Sequence, residues 1–147
     1  MSELASESVS QSGQKWALEV VVVPVIDVDR AKHFYSEQLG FVVDVDHQAT
    51  EKARIVQMTP PGSGCSITVG TGLVDSEPGS LKGMQLVVDD IEAAREELIG
   101  RGVDVSEIRH MENGDWVPGK GGVWNSFMFF DDPDGNSWAV QERPPAD

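Results

Sequence analysis

The sequence predicts an α+β fold of two βαβββ modules, arranged as one curved mixed sheet around a cavity. Three observations lead there. Two aspartates, Asp27 and Asp90, each precede a segment of helical periodicity, VDRAKHFYSEQLG and IEAAREELIG. The same order of strands and turns surrounds both segments, which marks an internal repeat. The 147 residues suffice for one domain, whereas a half of about 60 residues cannot bury both faces of its own sheet.

The elements follow in order. Residues 1–14 are rich in Ser, Glu and Gln and read as a flexible tail, leaving 15–147 as the single domain, with repeats at 16–70 and 81–142. Trp16 to Val23 is a β-favouring run. Asp27 is suited to cap a helix whose Ala31, Phe34, Tyr35 and Leu39 share helical spacing, and Gly40 to end it. Phe41–Asp46 and Lys52–Met58 read as strands, the second with Val56 and Met58 on one face and Ile55 and Gln57 on the other. After the turn TPPGSG, Cys65–Val69 is the fourth strand. In the second half, Leu81–Asp89 is a strand and Asp90 caps a helix that turns Ile91, Ala94 and Leu98 inward. Val103–Arg109, Val123–Phe130 and Ser137–Gln141 are strands, separated by a polar segment at 110–122 and the tight turn DDPDG. The helix caps align at an offset of 63 residues and the closing turns at 72, so nine extra residues fall in the 110–122 loop. Insertions on a repeated scaffold commonly carry binding specificity.

Composition narrows the function classes. Twenty-five Asp and Glu against 11 Lys and Arg leave a formal charge of -14, which argues against nucleic acid and anionic membrane surfaces. The single Cys65 excludes an internal disulfide and a multi-cysteine zinc site. No secretory signal or membrane span is evident, so a cytoplasmic location is expected.

Two stretches, PVIDVDRAKHFYSEQLGF at 24–41 and FFDDPDGNSWAVQE at 129–142, resemble the vicinal oxygen chelate superfamily of glyoxalases, bleomycin and fosfomycin resistance proteins, extradiol dioxygenases and methylmalonyl-CoA epimerases. The chain is most similar to actinobacterial glyoxalase-like proteins of undefined activity. The resemblance covers about residues 16–142 in both halves and implies the repeated-module fold and a homodimer. In metal-dependent members it also implies four ligand positions, which fall here on Val20, Ile67, Gly83 and Ala139. None of these side chains can donate to a divalent metal, which calls for carboxylate, imidazole or thiolate. No metal and no cofactor are therefore expected. The positions fit an apolar ligand pocket or a plain core, with a relocated metal on His47 or His110 as the remaining alternative.

If Val20, Gly83 and Ala139 face a cavity, alternation places Gln85 and Gln141 there too, as polar groups on an apolar wall that need a partner. Trp116 and Trp124 are candidates to stack on a flat ligand, against the alternatives of an interface and of ordinary core. Trp138, alternating with Ala139, should pack against a helix. His47 reads as a turn residue or as part of a pocket rim, where it forms a lesser candidate pair with Gln57 or Arg54. His110 is the one weak catalytic candidate, as a general base, against a surface or capping role. The function expected is metal-independent binding of a small, partly apolar or aromatic molecule, of the resistance or sequestration type. The alternative is a glyoxalase- or epimerase-like lyase or isomerase using His110 and Gln85. A purely structural or interaction role is the third possibility.

Overall fold

A computed structural model describes residues 13–145. Most of the tail expected over 1–14 thus lies outside the described residues. The first module runs β1 (Val20–Val22), α1 (Val28–His33), β2 (Val42–Thr50), β3 (Ala53–Thr59) and β4 (Ser66–Gly70). The second runs β5 (Met84–Val88), α2 (Ile91–Gly100), β6 (Arg109–Glu112), β7 (Asp115–Pro118), β8 (Phe127–Asp131) and β9 (Ser137–Glu142). In each module the first strand pairs parallel with the last, β1 with β4 and β5 with β9, while the other pairings are antiparallel. Both aspartate caps form as expected. Asp27 accepts the backbone N–H of Arg30 at 3.1 Å and Asp90 that of Ala93 at 3.0 Å. α1 continues into a π-helical turn, Phe34–Gln38, and stops at Gly40, whose φ of 81° suits glycine.

The curved single sheet around a cavity is not what forms. The strands make two separate open sheets, four-stranded with order β1-β4-β3-β2 and five-stranded with order β5-β9-β8-β6-β7. The physical reason lies in where α1 packs. Instead of serving only its own module, which it touches at β3 and β4, α1 leads into the π-helical turn that sends Phe34 and Tyr35 onto the second. Phe34 lies 6.0 Å from Phe130 between ring centroids, and Tyr35 lies 5.7 Å from Trp138. Phe41 adds an edge contact to Trp138 at 6.1 Å. Val56, Met58, Ile67 and Val69 of the first sheet and Met128, Phe130, Trp138 and Val140 of the second belong to one shared core. The two inner faces therefore bury each other through the helices, and the outer faces are left open.

A polar clasp runs through this core. The Tyr35 hydroxyl donates to Asp132 Oδ2 at 2.7 Å and accepts from Trp138 Nε1 at 3.0 Å. The other oxygen of Asp132 accepts the backbone N–H groups of Asp134 and Asn136, both at 2.9 Å. Asn136 in turn donates to the Pro24 carbonyl at 2.8 Å and accepts the N–H of Leu81 at 3.0 Å. The turn DDPDGN is thus more than a reversal: its side chains tie the second module to the first. Burial, reinforced by the Asp132 carboxylate, holds the Tyr35 phenol well above its ordinary pKa.

Several element boundaries differ from the sequence expectation. β1 is short because its partner β4 begins at Ser66, whose N–H still reaches the Glu19 carbonyl at 2.9 Å, so residues before Glu19 have no ladder. Val103 and Val105 are buried, but 103–108 is not a strand; its link to β8 is Ser106, which bonds Phe129 through backbone and hydroxyl. The inserted segment is a hairpin, β6–β7, turned by Asn113 at φ 53° and Gly114 at φ 85°. Asn-Gly between alternating residues is the strongest short hairpin signal, and it was present in ENGD.

Candidate ligand-binding face

The outer faces of both sheets carry large apolar side chains in contact with solvent: Val20, Val45 and Ile55 on one, Val87, Met111 and Trp116 on the other. Large apolar side chains left on a solvent-facing sheet surface make it a candidate binding or interaction site. On the five-stranded sheet the register decides what lies side by side. One row crosses four strands as Val87, Gln141, Phe127 and Arg109; the next runs Gln85, Ala139 and Phe129.

The aromatic part of this face is a three-ring group. Phe127 and Phe129, two residues apart on β8, hold their rings nearly parallel at 6.5 Å. Trp116, opposite Met111 on the hairpin, sets its edge against both, at 5.4 and 5.2 Å. It remains 45% exposed, so its indole is available to a ligand. The hairpin meets β8 through one register pair, Arg109 with Phe127, and is secured further by Asn125. The Asn125 side-chain amide accepts from Met111 N–H and donates to Met111 C=O, both at 2.9 Å, taking the place of a strand partner.

Beside the rings is an amide row. Gln85 Nε2 donates to Gln141 Oε1 at 2.6 Å, and Gln141 Nε2 donates to the Trp124 carbonyl at 2.8 Å. The two glutamines thus satisfy each other in part, and among the described residues the Gln85 side-chain carbonyl has no hydrogen-bond partner. Trp124 is 49% exposed with φ 62°, a left-handed backbone uncommon for a bulky residue. It follows the segment GKGG, and Gln141 holds it in place.

The structure brings Gln85, Gln141, Trp116 and Trp124 to this one sheet. His47 and Gln57 lie on the other sheet, on the face that also shows Val20 and Ile55, with His47 opposite Ile55 and Gln57 opposite Val45. His110 projects from the opposite face of β6 to Arg109 and Met111. Its Nδ1 is 2.8 Å from the Gly119 carbonyl and its Nε2 3.0 Å from Glu112. The Gly119 carbonyl, then Glu112, raise its pKa above the ordinary histidine value. That geometry makes His110 a latch on the hairpin, separated by the sheet from Gln85. Sequence reasoning missed Phe127, Phe129 and Arg109; the alternation in FMFF offered the signal, since Met128 and Phe130 are the buried pair.

The four positions implied by family resemblance do not fit a metal. Val20 and Ala139 present hydrocarbon and Gly83 no side chain. Ile67 does not share their face: it pairs with Met58 and is buried in the core, while Thr68, paired with Val22 and itself buried, takes its place on the other face of the sheet. The repeat offset there is 71, not 72, because Thr68 is to Val22 what Ala139 is to Gln85. A threonine hydroxyl among hydrocarbons is no divalent-metal site. Among the described residues, no group of three or more His, Cys, Asp or Glu could hold a metal ion.

A separate cavity of about 310 Å³ opens on the inner side, among Leu39, Leu98, Met128, Phe130 and Val140. Its charged residues, Glu97 and Arg101, satisfy each other at 2.9 Å, and although Phe41 and Phe130 line it, it contains none of Trp116, Trp124, Phe127, Phe129, Gln85 or Gln141. The outer face is chemically richer because flat rings and hydrogen-bonding amides converge on it. No helix among the described residues is long and apolar enough to cross a membrane.

Residues 17–140 match the model of the Glyoxalase/Bleomycin resistance protein/Dioxygenase superfamily. Among solved structures, the chain is similar to TnmS3, an antibiotic binding protein from Streptomyces sp. CB03234, at 30% identity and TM-score 0.72, over 90% of this chain and 99% of that one. It is also similar to a glyoxalase/bleomycin resistance protein from the same Streptomyces, at 31% identity and TM-score 0.68, over 85% and 99% of the two chains. The uncharacterized protein YetH of Bacillus subtilis is 28% identical over 130 residues, 83% of this chain and 94% of YetH.

Proposed function

This chain belongs to the Glyoxalase/Bleomycin resistance protein/Dioxygenase superfamily, and from that premise we propose that it binds a small, partly aromatic molecule without a metal, as a resistance- or sequestration-type protein. The observation that carries this reading is the open face of the five-stranded sheet, where Trp116, Phe127 and Phe129 adjoin the Gln85–Gln141 amides. Stacking supplies affinity on such a face, and the amides orient the ligand. The similarity to an antibiotic binding protein supports the same reading. The absence of metal-ligating side chains at the positions implied by family resemblance supports its metal independence.

The homodimer belongs to the same proposal. A second copy laid over these outer faces would cover exposed Val20, Val87 and Trp116 and shield the ligand from water. The enzyme alternative draws no support from geometry, since His110 and Gln85 point to opposite sides of the sheet.

The test is titration of the purified protein with neutral planar aromatics, read by tryptophan fluorescence. Quenching that saturates, survives a chelator and weakens at least about tenfold in Trp116→Ala is expected. Chelator-sensitive binding, or binding indifferent to Trp116, would overturn the assignment. Gel filtration should give a mass near twice 16.0 kDa.

A further inference from the structure

Resting on the binding face proposed above, the geometry points to a ligand class: we infer that the face takes a planar fused-ring acid, whose carboxylate is held by Arg109. Arg109 lies in one row with Phe127 and Gln141, across β6, β8 and β9. Neighbouring strands are about 4.8 Å apart, so the row sets the Arg109 backbone about 10 Å from that of Gln141, with Phe127 midway and the guanidinium leaning over Phe129 beside it. A flat ligand of two or three fused rings lying over the parallel Phe127 and Phe129 rings spans a distance of that order. One end meets the guanidinium and the other the glutamine amides.

The guanidinium is prepared for this. Its carbon lies 5.9 Å from the Phe129 ring centroid, over the ring. Its Nε reaches Glu107 at a long 3.4 Å. Among the described residues, its two terminal nitrogens have no protein hydrogen-bond partner. Arg54 contrasts with it, its guanidinium shared between Asp29 and Asp46, whereas Arg143, like Arg109, is held through Nε, at 2.6 Å from Asp89. In a chain of charge -14, a guanidinium lying over an aromatic ring of the open sheet face is a local positive centre. Two parallel N–H groups match a carboxylate better than any neutral oxygen. The competing charges near the face are Glu107 and, two residues beyond Phe129 on the same side of β8, Asp131.

The test uses the full chain and three isosteric probes: 2-anthroate, its primary amide and the cationic 2-(aminomethyl)anthracene, followed by probe fluorescence anisotropy at neutral pH and low salt. The acid is expected to bind about tenfold more tightly than the amide, and the cation more weakly than either. Arg109→Met should bring the acid-to-amide ratio to about one, and Arg109→Lys should restore part of it. In the unaltered protein the ratio should also fall as ionic strength rises, which needs no variant to fold. Equal binding of acid and amide, preference for the cation, or a ratio that survives Arg109→Met overturns the acid assignment while the aromatic face stands. Failure of all three probes to bind overturns the face itself, and the acid assignment with it.

Discussion

Tyr35→Phe removes one oxygen atom from the protein interior, and the structure says how much that atom holds. The ring stays in place among Phe34, Phe41 and Trp138, so packing is preserved. Two hydrogen bonds disappear, the donation to Asp132 and the acceptance from Trp138. A bond to a charged group contributes about 1.5–3 kcal/mol, and leaving a buried donor such as the Trp138 N–H unpaired costs about 1–3 kcal/mol. The two overlap, because Asp132 keeps its bonds to Asn136. A loss of about 3 kcal/mol is therefore expected, which for a domain of this size lowers Tm by about 6–12 °C. Urea unfolding at pH 7 measures it directly, with an unchanged slope confirming an intact fold. A second signature follows from the phenol. Its folded pKa is raised, so the native state keeps the proton and the stability it contributes is complete below the unfolded pKa of about 10. That contribution falls away as pH rises beyond about 10, and the fall should be smaller in Tyr35→Phe. A variant within about 1 kcal/mol of the original, with the same alkaline profile, would refute the claim that this hydroxyl joins the modules.

Two further outcomes follow from the hairpin that carries Trp116 and Arg109. The His110 imidazole should titrate above its usual 6.5 by NMR, chiefly through the Gly119 carbonyl, so Glu112→Gln should lower the midpoint only in part; the stability its protonated form adds is complete below pH 6.5 and is lost as pH rises through the folded value. Asn125→Ala removes the two bonds to Met111 and should destabilise the domain by about 1–2 kcal/mol, with the largest rise in amide hydrogen exchange at Met111; unchanged exchange there would show that the amide does not hold the hairpin.

Much of this protein is decided by local chemistry and is therefore legible along the chain. Asp27 and Asp90 can cap because a short carboxylate reaches the N–H three residues on, whatever the fold around it. The alternation in β3 sorts Val56 and Met58 from Ile55 and Gln57 because successive side chains leave a strand on opposite sides. The repeated order of elements, and the hydrocarbon at Val20 and Ala139, are likewise facts of sequence. What alternation cannot reveal is which partner a face meets. Ile67 and Thr68 are neighbours, and a one-residue error in aligning the repeats exchanges the inner face of the sheet for the outer. Nor does helical spacing say that Phe34 and Tyr35 will stack on strands about a hundred residues away, the contact that leaves two open sheets where a single curved one was expected. The row joining Gln141, Phe127 and Arg109 is of the same kind: three residues from three strands, made adjacent only by register. Local propensity and pattern act within a few residues. The candidate site arises from long-range pairing, whose free energy depends on surfaces that meet only when the chain is folded.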